Sequence, residues 1–99
     1  MYARVSTFEG PPGRLDDMTG HAREYVLPRL RQLDGFEGFV VLHDRSSGKL
    51  LSVTLWEGEE ALRASDEAAA RLRGESTETV GGTVAGVEEY EVALFEAPS

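Results

Sequence analysis

The sequence predicts an α+β fold: a four-stranded antiparallel sheet with two helices on one face, in the order β-α-β-β-α-β. Three observations carry this. Apolar residues alternate in four stretches and step by three or four in two others, and the stretches follow in that order. The two central strand stretches are separated only by the turn "RSSG", which makes them a hairpin. Short connections without crossings then leave the ferredoxin-like arrangement as the economical topology.

Tyr2–Phe8, "YARVSTF", is rich in strand formers and roughly alternates. "EGPPGR" ends it with two glycines and two prolines. Gly10–Gly13, "GPPG", lacks the lysine and hydroxyl residue of a phosphate loop, so it reads as a stiff connector. From there Leu15, Met18, Ala22, Val26, Leu30 and Leu33 fall on one helical face. Asp16 and Asp17 suit the positive end of that helix. Gly20 weakens it, and Pro28 removes an internal hydrogen bond, which predicts a kink near Tyr25. The expected end is Asp34-Gly35, with Gly35 as the cap.

Phe36–Asp44 is the second strand and Lys49–Trp56 the third, with Gly48 supplying a positive φ in the turn between them. Residues 57–73 read as the second helix, with Glu59 and Glu60 in its first turn. Ala61, Leu62, Ser65, Ala68, Ala69 and Leu72 face inward. "GESTETVGGTVAG", residues 74–86, reads as a loop. Val87–Glu96 is the last strand, with Tyr90, Val92 and Leu94 on one face and Glu91, Ala93 and Phe95 on the other. Residues 1–99 are expected to form a single domain, because a chain this short builds one core.

Composition narrows the function classes. The apolar fraction of 40% suits a globular chain. Cysteine is absent, which excludes disulfides and thiolate metal sites. No apolar run approaches the roughly 20 residues that span a bilayer, and "MYARVSTFEG" does not resemble a signal peptide. A cytoplasmic protein is therefore expected. Net charge is −8, and the 10 basic residues are spread along the chain, so neither nucleic acid nor an anionic membrane is an expected partner.

Strand three carries Leu51, Val53 and Leu55 on one side and Leu50, Ser52, Thr54 and Trp56 on the other. Strand two is apolar on both sides, through Phe39 and Val41, then Val40 and Leu42. A sheet with one face in water alternates more cleanly. The extra apolar face predicts a partner, and a second copy of the chain is the economical one, giving a homodimer.

Two stretches, "LDGFEGFVVLHDRSSGKL" and "SVTLWEGEEALRAS", resemble the antibiotic biosynthesis monooxygenase-like family of the dimeric α/β-barrel superfamily. The most specific pieces are Gly35-Phe36 and Leu55–Leu62, and the likeness runs from Tyr2 to about Glu96. The resemblance implies that two ferredoxin-like sheets pack face to face. It also implies a small-molecule-binding protein, with cofactor-independent oxygenation of an aromatic or polyketide-like substrate as its enzymatic form. The alternative is a non-enzymatic dimeric module that binds a ligand or a partner chain. Trp56 matches the tryptophan that closes strand three in the oxygenases, whereas Ser52 stands where they carry asparagine. Haem-degrading members need an asparagine on strand one, a tryptophan in helix two and a histidine after it; this chain has none of these.

The resulting candidate pocket is Trp56, Ser52, Tyr25 and His21, with no catalytic residue assigned. Trp56 also reads as a plug at the strand–helix corner, its indole N–H paired locally. Tyr25 and Tyr90 read equally as core tyrosines whose hydroxyls reach the surface. His43 is expected at a solvated hairpin end. His21 stands alone on its helix, without a second histidine at metal-binding spacing, so no metal site is expected. No cofactor is expected either, and the purified protein should be colourless.

Overall fold

The computed structural model describes residues 1–98. Strands β1 (Tyr2–Glu9), β2 (Phe36–Asp44), β3 (Lys49–Trp56) and β4 (Thr83–Glu91) form one antiparallel sheet in the order β2-β3-β1-β4. Helical segments α1 (Leu15–His21) and α2 (Leu27–Leu30) lie between β1 and β2. Segments α3 (Glu59–Ala64) and α4 (Asp66–Val80) lie between β3 and β4. This is the α+β, ferredoxin-like order read from the sequence. No helix among the described residues is long and apolar enough to cross a membrane.

Three boundaries differ from expectation. The first helix ends at Leu30 rather than at Asp34, and a π turn, Ala22–Val26, separates α1 from α2. Pro28 has no N–H to offer and crowds the carbonyl four residues before it. The wider turn, with Leu27 N–H bonded to Ala22 O, fits the chain around that defect. The second helix does not stop at Arg73 but runs to Val80. Leu72, Ser76 and Val80 continue its buried face every four residues, and Gly74 is tolerated inside it. Gly81, at φ 97°, ends it and donates to Thr77 O at 2.8 Å. Arg14 Nε also donates to Val80 O at 3.0 Å, meeting a carbonyl the helix leaves free. The last strand is displaced accordingly: it spans Thr83–Glu91 and not 87–96. It stops where β1 begins, at the pair Tyr2↔Glu91, because a strand needs a partner to continue. Val92 N–H makes one more bond, to Met1 O, and Leu94 and Phe95 lie exposed beyond it.

Two glycines are required by geometry. Gly48 has φ +82°, and a Cβ there would lie 1.9 Å from Gly10 O. Gly35 has φ +80°, and a Cβ there would lie 2.4 Å from Ala61 Cβ. The first packs the hairpin turn against the stiff connector; the second seats the entry to β2 against α3.

The core divides in two along the helix-facing side of the sheet. At one end Trp56, fully buried, packs with Leu30, Leu62 and Leu72, and Phe36 meets its ring edge-on at 5.7 Å between centroids. Its Nε1–H donates to Thr54 Oγ1 at 2.9 Å. At the other end Phe8, Leu15 and Leu50 pack with Met18 and Val41. Between them the register Arg4↔Thr54 and Ser6↔Ser52 puts a belt of polar side chains where a core would normally be apolar. The opposite face, turned away from the helices, carries Val40, Leu42 and Tyr90, all exposed, beside half-buried Leu51, Val53 and Leu55. The sheet is thus polar at the centre of its covered side and apolar on its open side.

The corner role of Trp56 has a measurable consequence. Trp56→Ala removes the largest fully buried side chain and should cost about 3–5 kcal/mol in denaturant unfolding. Trp56→Phe should cost clearly less, since it keeps most of the apolar contact. A Trp56→Ala protein as stable as wild type would contradict the anchor.

Candidate functional site

The polar belt is the floor of a cavity between the sheet and the helices. Arg4, Ser6 and Phe8 come from β1, Phe39 and Val41 from β2, and Leu50, Ser52 and Thr54 from β3. The first helical region adds Met18, His21, Ala22, Val26 and Leu30. Helix α4 adds Ala69, Leu72, Arg73 and Ser76. The cavity volume is about 50 Å³. That is room for roughly three to five waters, comparable to one substituted benzene ring.

His21 enters this space because it ends α1 directly before the π turn, which also sets Tyr25 against it. The two rings stack at 5.0 Å between centroids, 17° apart. Tyr25 then spans to the second helix: its hydroxyl donates to Glu75 Oε2 at 2.9 Å. Arg29 covers the other side of Tyr25, with its guanidinium carbon 3.5 Å from the ring centroid and Nη1 bonded to Tyr25 O at 2.9 Å. This latch ties the first helix to α4 beside the cavity. The hydrogen bond to Glu75 is the main cause holding the Tyr25 phenol above its usual range.

Burial pushes the His21 imidazolium down, and the positive charge of Arg29 adds to that, while Glu75 opposes it. At neutral pH the ring is therefore neutral. Its Nε2 is fully buried and has no hydrogen-bond partner in the protein. Arg73 Nη1 is in the same condition on the opposite helix. Arg4, by contrast, is paired. It donates to Ser65 Oγ at 2.9 Å and to Leu62 O at 3.0 Å, and it pairs with Asp66 and with Glu89 at 3.4 Å. Such a site can take a proton at His21 and hold a developing negative charge near Arg73. Among the described residues, no three histidine, aspartate or glutamate side chains converge as a metal would require.

The structure brings together His21 and Ser52 in the cavity wall and sets Tyr25 directly behind His21. Trp56 lies apart, inside the apolar cluster at the sheet's end. His43 and Tyr90 are exposed, His43 at the hairpin end and Tyr90 on the open face. Sequence reasoning missed Arg4, Ser6 and Arg73. The available signal was the alternation of β1, which puts Arg4 and Ser6 on the same side as Phe8.

The sequence model of the antibiotic biosynthesis monooxygenase family matches residues 1–75, and the chain belongs to that family. Two relatives from Mycobacterium tuberculosis, the uncharacterized proteins Rv2558 and Rv2557, are each 39% identical over 95 residues. The match takes in 96% of this chain but only 40% and 42% of theirs, so the chain spans about two fifths of their length. Among solved structures, the heme-degrader MhuD of M. tuberculosis, with two hemes bound in its active site, superposes with TM-score 0.75. It is 25% identical, over 98% of this chain and 100% of that one. A monooxygenase from the gene ActVA-Orf6 of Streptomyces coelicolor, in complex with nanaomycin D, gives TM-score 0.74. It is 21% identical over 99% of this chain and 92% of that one, which establishes a shared fold. SnoaB, a cofactor-independent oxygenase from Streptomyces nogalater, gives TM-score 0.67 at 13% identity over 95% and 94% of the two chains.

The protonation of His21 is testable through stability. Its ordinary pKa is 6.5, and the folded value lies lower. Below about pH 6.5 the unfolded chain binds the proton and the folded chain resists it, so the stability of the neutral state is fully present above that pH and is lost as pH falls. Lowering the pH from about 7 to about 5.5 should lower Tm more for wild type than for His21→Gln. Equal losses in the two proteins would refute a buried, neutral His21.

Proposed function

We propose that the protein binds a small aromatic or polyketide-like molecule in the cavity between helices and sheet, and oxygenates it without a cofactor. The single observation that carries this reading is the unpartnered Nε2 of a neutral imidazole, buried at the wall of a mostly apolar cavity. Protein interiors rarely leave such a nitrogen unused. In the proposed reaction His21 Nε2 takes the proton of a phenol, and the resulting phenolate reduces dioxygen directly. Phenol plus O₂ gives quinone plus water, so the substrate supplies all the electrons. Ser52 orients the phenol oxygen, Tyr25 fixes the His21 ring, and Trp56 supports the cavity floor from the neighbouring cluster. Residues 1–99 act as one domain in this reading. A cytoplasmic setting belongs to it, supported by the cysteine-free composition.

Residues 74–86 contain no histidine to hold a haem iron, so haem is not the ligand proposed. The second reading, a binding module without catalysis, is favoured by one residue: Ser52 is shorter than the asparagine of the oxygenases the chain resembles, and it holds an oxyanion less well. Thermal-shift screening of monohydric phenols and naphthols separates these outcomes when paired with an oxygen electrode. Binding accompanied by oxygen uptake, lost in His21→Gln, is the expected result. Binding with no oxygen uptake by any bound phenol would leave the module; no binding at all would refute both.

The proposal includes a homodimer built on the open face of the sheet, in the manner of a dimeric α/β barrel. Val40, Leu42 and Tyr90 are exposed there, next to Leu51, Val53 and Leu55. An obligate interface of this type buries above about 2,000 Å² in total. Light scattering during size exclusion should give twice the chain mass, and Leu42→Glu should halve it. A wild-type protein that stays folded as a monomer at micromolar concentration would refute the dimer.

A further inference from the structure

Two guanidiniums reach the same cavity, and they are in opposite states. The charge of Arg4 is answered by Asp66 and Glu89; its Nη2 also donates to Leu62 O, and its Nη1 donates to Ser65 Oγ. Arg73 lines the cavity from α4, yet its Nη1 has no acceptor and no solvent. The neighbouring acids are already engaged: Glu89 pairs with both Arg4 and Arg63, and Asp66 pairs with Arg4. Glu75, one turn from the cavity wall, accepts from Tyr25. A buried cationic donor left without a partner is costly, and charge-assisted hydrogen bonds are the strong ones.

We infer that Arg73 is an anion-binding residue of the cavity, and that the ligand carries an ionised oxygen on an aromatic ring which accepts from Arg73 Nη1. This rests on the reading of the cavity as the binding site and adds the chemical class of what it takes. The ring occupies the apolar part of the lining, Phe39, Val41, Leu50 and Met18. The oxygen lies on the polar belt, against Arg73. Burial and the nearby charge of Arg4 both disfavour the Arg73 cation, so an anion at this point relieves the repulsion between the two.

The ligand being unidentified, the probes are 4-nitrophenol and its neutral methyl ether, 4-nitroanisole. The absorption of 4-nitrophenol reports its own ionisation, so binding and charge are read together without any turnover. On the wild-type protein the bound phenol should ionise about one pKa unit lower than in water, a tenfold preference for the phenolate. 4-Nitroanisole should bind about tenfold or more weakly than the phenolate. Arg73→Met should abolish the preference, and Arg73→Lys should retain part of it. 4-Nitrobenzoate separates the two oxygen types: tighter binding than the phenolate assigns a carboxylate, weaker binding a phenolate.

Equal binding of the ether and the phenolate by wild type would overturn the anion site while leaving the cavity as a neutral aromatic pocket. That comparison stands even if an Arg73 variant does not fold. A preference for phenolate that survives in a folded Arg73→Met protein would also overturn it. Failure of all three probes to bind would remove the cavity reading together with the inference.

Discussion

The buried guanidinium of Arg4 is the constraint around which the rest of this structure is arranged. A charge in the middle of a covered sheet face is costly by several kcal/mol unless it is fully paired and hydrogen-bonded. Its partners come from three elements, α3, α4 and β4. Ser65, the carbonyl of Leu62 and Asp66 belong to the junction of α3 and α4, and Glu89 belongs to β4. Ser65 Oγ, while accepting from Arg4, itself donates to Leu62 O at 2.6 Å, where α3 ends. The break between α3 and α4 is therefore placed over β1, and the edge strand β4 is tied to the same point. An otherwise modest helix acquires a fixed position over the sheet.

That placement divides the core. Trp56 and Phe8 mark opposite ends of the helix-facing side, each with its own apolar cluster, and the belt between them cannot close as a hydrophobic core. The gap remains as a cavity. The first helical region completes it through a defect of its own: Pro28 forces a π turn, and the turn carries His21 and Tyr25 toward α4. Latch, imidazole and Arg73 thus meet around the space that Arg4 and its serine neighbours keep from filling. The fold tolerates a polar middle because two apolar clusters flank it.

The same arrangement explains the open face. With Arg4, Ser6, Ser52 and Thr54 turned to the helices, the alternate residues of the strands are the apolar ones, Val5, Val53, Leu51, Leu55, Val40 and Leu42. The exposed apolar residues Val40, Leu42 and Tyr90 are therefore gathered on the open side of the sheet. Membership of the antibiotic biosynthesis monooxygenase family agrees with this fold. The likeness to MhuD and to the ActVA-Orf6 monooxygenase extends over almost the whole chain, and these two proteins hold very different molecules in the same architecture.

Strand identity, hairpin register and helix faces were legible in the sequence because they depend on local periods: two for Leu51, Val53 and Leu55, and three to four for Leu15, Met18, Ala22, Val26 and Leu30. Glycine at 35 and 48 was legible for the same local reason, since the chain must turn there with positive φ. The end of the second helix was not, because Gly74 is a local stop signal that the contacts of Ser76 and Val80 override. Nor was the length of β4, which is set by where β1 begins rather than by its own alternation through Leu94. Which side of the sheet faces the helices was also undecided by pattern, for both sides of β2 are apolar. Tertiary structure decided it, and with it the site: a lone His21, a scattered Arg4 and a helical Arg73 are unremarkable in sequence. They converge only when β1, α1 and α4 pack around one cavity and leave two buried nitrogens with nothing to bond.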